Sequence, residues 1–72
     1  MLQKEIFAQR LRSLREEKRE ERKDLAEIMG VSISQISEME NGRKGTTMDR
    51  LVLLCEHYKV SADYLLGLKD ER

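Results

Sequence analysis

The chain has 72 residues with 14 basic and 14 acidic side chains, so its formal charge is zero and no overall field draws it to nucleic acid or to an anionic membrane. A chain this short buries only about 60% of the surface its unfolded form exposes, which confines it to one small core. A single cysteine, Cys55, excludes an internal disulfide and any multi-cysteine metal site. Pro and Trp are absent and aromatic residues are limited to Phe7, Tyr58 and Tyr64, so Leu, Ile, Val, Met and Ala supply the core. No stretch alternates apolar and polar residues, and the expected fold is all-α. One domain is expected over residues 1–72, with a core from about 4 to 67. No apolar run at the N-terminus resembles a signal, so a soluble cytoplasmic protein without a membrane partner is the default expectation.

Helix one is predicted over residues 4–14, where Ile6, Phe7, Leu11 and Leu14 form a one-sided apolar stripe flanked by Arg10 and Arg12. Ten consecutive charged residues follow, at positions 15–24. Propensity alone would extend the helix through them, with Glu16 and Arg19, or Glu20 and Lys23, paired at i,i+3 spacing. No apolar residue occurs between Leu14 and Leu25, however, so a single helix to residue 29 would have no face to bury. The break is placed near residues 19–21, although no good breaker or cap stands there. Residues 1–23 hold eight basic and five acidic side chains, which leaves room for a local basic surface.

Helix two is predicted over about 22–29 and helix three over about 33–41. Leu25 and Met29 lie four apart on one face, and Ala26 permits a close helix crossing. Gly30 suits the left-handed conformation that ends a helix. Ser32 then starts the next helix and forms a capping box with Gln35. Asn41-Gly42 ends helix three, and the loop through Thr46 is rich in turn residues. Thr47 is the expected N-cap of helix four, with Asp49 in its first turn and a buried stripe of Leu51, Leu54, Cys55 and Tyr58. Val60 returns to the core and Ser61 caps a short fifth helix carrying Ala62, Leu65 and Leu66, stopped by Gly67. Residues 68–72 read as a frayed tail.

These segments resemble the small five-helix DNA-binding domain of phage repressor and Cro-like helix-turn-helix regulators, a lambda-repressor-like fold. The carriers are Arg-Leu-Arg-Ser-Leu-Arg-Glu-Glu-Lys at 10–18, Asp-Leu-Ala-Glu at 24–27, Gly-Val-Ser at 30–32, Ile-Ser at 36–37, Glu-Asn-Gly at 40–42 and Val-Ser-Ala-Asp-Tyr-Leu-Leu-Gly at 60–67. Each is weak alone, and together, in this order and spacing, they are specific. The resemblance implies that helix three lies in the major groove of double-stranded DNA while helix two crosses the phosphate backbone. Ile33, Ser34, Ser37 and Glu38 are then the candidate base readers: Ile33 against a thymine methyl, the serines on base edges or a phosphate, Glu38 accepting from a cytosine amino group. Phosphate candidates are Arg22, Asn41, Arg43 and Lys44, with Gln35 divided between capping and DNA contact. The resemblance also implies a buried structural ion pair between Arg15 and Glu40.

Several positions depart from the family pattern. Glu20 stands where an apolar residue usually precedes helix two, Glu21 replaces its serine cap, and Arg22 replaces a glutamine, so the start of helix two is expected to be poorly capped. Helix three lacks the basic residues common at the positions of Ile33 and Glu38. Leu53, where lysine is frequent, adds apolar surface to helix four, and with Leu68 it suggests a two-fold dimer patch. The leading expectation is a sequence-specific transcriptional regulator that occupies operator DNA as a homodimer. The alternative is a protein-interaction module, antitoxin-like or anti-repressor-like, that uses the same surface to bind a partner protein; zero net charge and Glu38 favour it. An enzyme is not expected. His57 reads as a surface residue and Cys55 as a small core residue, neither with a partner, and no metal site, cofactor or small-molecule ligand is evident.

Overall fold

A computed structural model describes residues 1–72. Five helices occur in order: α1 (Lys4–Glu17), α2 (Arg22–Met29), α3 (Ile33–Glu40), α4 (Met48–Tyr58) and α5 (Ala62–Leu66). No helix is long and apolar enough to cross a membrane. One apolar cluster joins all five. Leu11, Leu25, Ile36, Leu54 and Leu65, one from each helix, are completely buried, and Phe7, Met29, Met39, Tyr58 and Tyr64 close around them. Val31, Leu51 and Cys55 pack against this cluster from its edge. Burying an aliphatic side chain contributes about 1.5–3 kcal/mol, so these contacts decide how α3 is held.

Helix α1 runs past residue 14 into the charged stretch and stops at Glu17. The stop is a left-handed residue that is not glycine. Arg19 has φ +56°; its amide donates to Glu16 O at 3.0 Å, and the amide of Glu20 donates to Arg15 O at 3.1 Å. This is the pair of bonds that commonly ends a helix at a left-handed glycine. The other helices end in the same 6→1 closure, at Gly30, Gly42, Lys59 and Gly67. Arg19 and Lys59 were invisible as terminators because nothing in their side chains favours that conformation.

Helix α2 is better capped than its sequence promised. Asp24, three residues into the turn, accepts from the backbone amide of Glu21 at 2.9 Å. This is the returning half of a capping box, and an acid in the first turn also offsets Arg22 and Lys23 at the positive end of the helix dipole.

Two further expectations are corrected. His57 is not an unpartnered surface residue: its Nε2 lies 2.5 Å from Glu20 Oε2, while the Tyr58 hydroxyl donates to Glu20 Oε1 at 2.7 Å. Glu20 thus occupies an apolar family position by bringing its own polar partners from α4. Nor is the C-terminal segment frayed. Arg10 stacks 4.3 Å from the Tyr64 ring centroid and donates to Lys69 O at 2.6 Å and to Asp70 Oδ1 at 2.9 Å. Beyond it, the Ser61 amide donates to Arg72 O at 2.7 Å, and Arg72 pairs with Glu17. The segment is held by backbone carbonyls and guanidinium groups, which leave no hydrophobic pattern to read.

Candidate nucleic-acid interface

The unit of interest is α2, the turn Gly30-Val31-Ser32, and α3. Gly30, at φ +67°, ends α2 with its amide donating to Glu27 O, and the Val31 amide reaches Ala26 O at 3.0 Å. Ser32 Oγ then accepts from the Gln35 amide at 3.1 Å while Gln35 Oε1 accepts from the Ser32 amide at 2.9 Å. The Gln35 side chain is therefore engaged in capping. Ile36 and Met39 turn inward and leave the opposite side of α3 uncovered.

A carboxylate without exposure fixes the orientation of that helix. Glu40, at the end of α3, receives Arg15 of α1 through Nε to Oε2 at 2.6 Å and Nη2 to Oε1 at 3.2 Å. Arg22 of α2 adds Nε to Oε1 at 3.1 Å. One anion therefore ties three helices together, and its hydrogen bond to Arg15 holds that guanidinium's pKa above the ordinary value against the opposing effect of burial. Arg15 also donates through Nη1 to Glu20 O at 2.7 Å, which carries the tie into the α1–α2 junction. Arg22, a phosphate candidate by sequence, is in this arrangement a partner of Glu40.

On the outer side of α3, Ile33 is 53% exposed and Ser34 is exposed, with Ser37 and Glu38 half-buried beside them. Asn41 Nδ2 approaches Ser37 Oγ at 3.5 Å, and Lys44 Nζ lies 3.7 Å from Glu38 Oε2. Asn41 and Lys44 thus reach the outer side of α3 through Ser37 and Glu38, while Arg22 is bonded to Glu40 at the end of the same helix. Lys44 offsets the negative charge that Glu38 brings there. Lys4 and Arg50, absent from the expected set, line a cleft of about 400 Å³ with Gln35, Arg43 and Lys44. Their sequence positions, at the start of α1 and within α4, carry no signal of this convergence.

Two short helices crossing at a left-handed glycine, the second with a buried inner side and an uncovered outer one, define a helix-turn-helix domain. A family model described as a helix-turn-helix domain matches residues 6–66, and the chain belongs to that family. It is 39% identical over 66 residues to YobD of Bacillus subtilis (strain 168), described as an uncharacterized HTH-type transcriptional regulator; that match covers 92% of this chain and 59% of the relative. The chain therefore spans about three-fifths of that relative's length. Among solved structures, it is similar to the P22 c2 repressor in complex with a synthetic operator, with a TM-score of 0.82 at 26% identity, covering 89% of this chain and 97% of that one. The clp gene regulator ClgR of Corynebacterium glutamicum gives a TM-score of 0.79 at 33% identity, covering 93% and 71%. The restriction-modification controller protein C.AhdI of Aeromonas hydrophila gives 0.74 at 26%, covering 86% and 94%.

Proposed function

We propose that the chain is a DNA-binding transcriptional regulator that inserts α3 into the major groove of operator DNA. The observation that carries this is the outer face of α3: a rigidly held, uncovered helix side bearing Ile33, Ser34, Ser37 and Glu38, followed by Asn41, Arg43 and Lys44. Rigidity matters because base discrimination of about 1–3 kcal/mol per contact needs side chains held in register with the groove. Likeness to a repressor solved on its operator supports the same docking. In this reading Ile33 packs on a thymine methyl, Ser34 and Ser37 bond base edges, and Glu38 accepts from a cytosine amino group. Arg43 and Lys44 take phosphates, joined by Asn41, while Gln35 secures the helix start. A cytoplasmic location accords with DNA as the partner.

The proposal includes a homodimer. Leu53 and Leu68 are 40% and 69% exposed, and half-sites one helical turn apart would be met by a two-fold pair. Sedimentation as a pure monomer at tens of micromolar, both free and on a two-half-site duplex, would remove this part of the proposal.

The test is binding to variant duplexes by fluorescence anisotropy. Alanine at Ser34 or Glu38 is expected to alter preference at particular base pairs. Arg43→Ala is expected to weaken all sequences alike and to lower the salt slope by about 1. If α3 variants weaken every duplex equally without changing preference, α3 is not the reading element.

A further inference from the structure

The loop between α3 and α4 is tied down unevenly. Through Arg43 it belongs to α3: the Gly42 amide donates to Met39 O at 3.3 Å and the Arg43 amide to Glu38 O at 3.0 Å. The next three residues, Lys44, Gly45 and Thr46, make no backbone hydrogen bond through amide or carbonyl, and the Thr46 hydroxyl is buried without a partner. Regular bonding resumes at Thr47, whose Oγ1 caps α4. Apart from the ion pair of Lys44 with Glu38, packing must hold the stretch that follows Arg43.

The glycine at 45 shows what does the packing. Gly42, at φ +74°, needs glycine for its backbone conformation; Gly45 has no positive φ, so its missing side chain answers to space. A methyl group there would lie 2.7 Å from Leu2 Cδ2. Leu2 stands just before Gln3, the N-cap of α1, and has the spacing of a hydrophobic staple with Phe7; both line one apolar hollow with Leu51 and Leu66. One side of Leu2 is therefore fixed by α1 and the core, and the other rests on Gly45. At the opposite end of the same stretch, a methyl group on Gly42 would come 3.7 Å from Glu5 Cα. Residues 2–5 thus meet the loop at both glycines, on either side of Arg43 and Lys44.

We propose that Leu2 is a positioning residue for DNA binding: seated on Gly45, it holds the loop so that Arg43 and Lys44 present their charges beside α3. The assignment rests on the DNA-binding reading above. Leu2 carries no charge and acts only through the loop. Without that seat, the loop must be ordered at the moment of binding, which subtracts from what its two cations contribute. Leu2 is 36% exposed, so truncating it costs the core less than truncating a buried leucine.

The test uses Leu2→Ala, Gly45→Ala, the double variant, Leu2→Met and Arg43→Ala, each checked for folding by circular dichroism. Binding to a duplex recovered from a random pool by the wild type is measured across a salt series. Leu2→Ala empties the seat, and Gly45→Ala displaces Leu2 from it. Each is expected to flatten the dependence of log K on log salt by about 1, the loss of one neutralised phosphate, although neither changes the charge of the protein. The double variant is expected to flatten it no further, and Leu2→Met, which keeps an apolar side chain of similar reach, to retain the wild-type slope. A lower thermal midpoint with an unchanged slope in Leu2→Ala and Gly45→Ala, while Arg43→Ala flattens it, makes Leu2 a structural residue only; it overturns the proposal and leaves the DNA reading standing. Flattening that adds in the double variant overturns the shared seat. A folded wild type that binds no duplex removes the DNA reading, and the role of Leu2 with it.

Discussion

Glu40→Gln is the substitution with the most to reveal about the scaffold. The Glu40 side chain has 0% exposure and faces guanidinium donors from Arg15, 11% exposed, and Arg22, 39% exposed. Glutamine keeps the shape but removes the charge and points an amide hydrogen at groups that can only donate. Arg22 is open enough to recover water; Arg15 is not, so its uncompensated charge dominates the loss. Breaking a buried pair from one side costs about 3–5 kcal/mol, and the bond Arg15 keeps to Glu20 O places the variant near about 3 kcal/mol. A domain of this size has roughly 4–11 kcal/mol in total, so the loss is a large fraction. It corresponds to a fall in the thermal midpoint of roughly 12–24 °C. Urea unfolding followed by circular dichroism should show a lower midpoint with an unchanged m-value. The companion variant Arg15→Met with Glu40→Leu, which replaces the pair with apolar volume, should recover to within about 1 kcal/mol of wild type. A Glu40→Gln midpoint within about 2 °C of wild type would refute the reasoning, because even 1 kcal/mol shifts such a domain by more.

Other consequences follow from the junction and the helix ends. Replacing Arg19 or Lys59 with glycine relieves a left-handed residue at φ +56° or +55° and should raise stability by about 1 kcal/mol each, additively, in thermal melts; a loss of stability would contradict the strain assigned there. Tyr58→Phe removes a hydrogen bond to the Glu20 carboxylate and should cost about 1.5 kcal/mol. The same variant tests an alkaline effect. Burial, then Glu20, pushes the Tyr58 phenol above its ordinary value, so the folded state keeps a proton that the unfolded state releases near pH 10. Above that pH the unfolded state binds fewer protons; stability is complete below it and falls by up to about 1.4 kcal/mol per pH unit above it. Urea midpoints from about pH 9 to 11.5 should fall less steeply for Tyr58→Phe than for wild type, and parallel curves would contradict the assignment.

Helix positions were legible wherever apolar spacing or a helix-ending glycine marked them: Leu25, Ala26 and Met29 before Gly30, Ile36 and Met39 before Gly42, Leu54 and Tyr58 after Thr47. The charged run at 15–24 was not, because its order depends on partners distant in sequence. Glu20 makes sense only once His57 and Tyr58 are beside it, and Arg10 holds the last residues through carbonyls that every sequence possesses. Asp24 carries no cap signature because Glu21, not Ser or Thr, holds the N-cap position, and the reciprocal acid three residues later does the bonding. Arg22 has its partner, Glu40 at 3.1 Å, eighteen residues away, where no local spacing marks it. The outer face of α3 is legible residue by residue, but the convergence of Lys4 and Arg50 on the cleft beside Gln35 and Arg43 is a product of packing.

The claim that α3 reads DNA is tested most directly by selecting bound sequences from a random duplex pool with the folded wild-type chain. The account predicts enrichment of a defined half-site whose preferred bases change at particular positions in Ser34→Ala and Glu38→Ala. Recovery of an unenriched pool by a protein whose circular dichroism shows it folded would contradict it, and would move the α3 surface to the partner-protein reading that zero net charge and Glu38 favour.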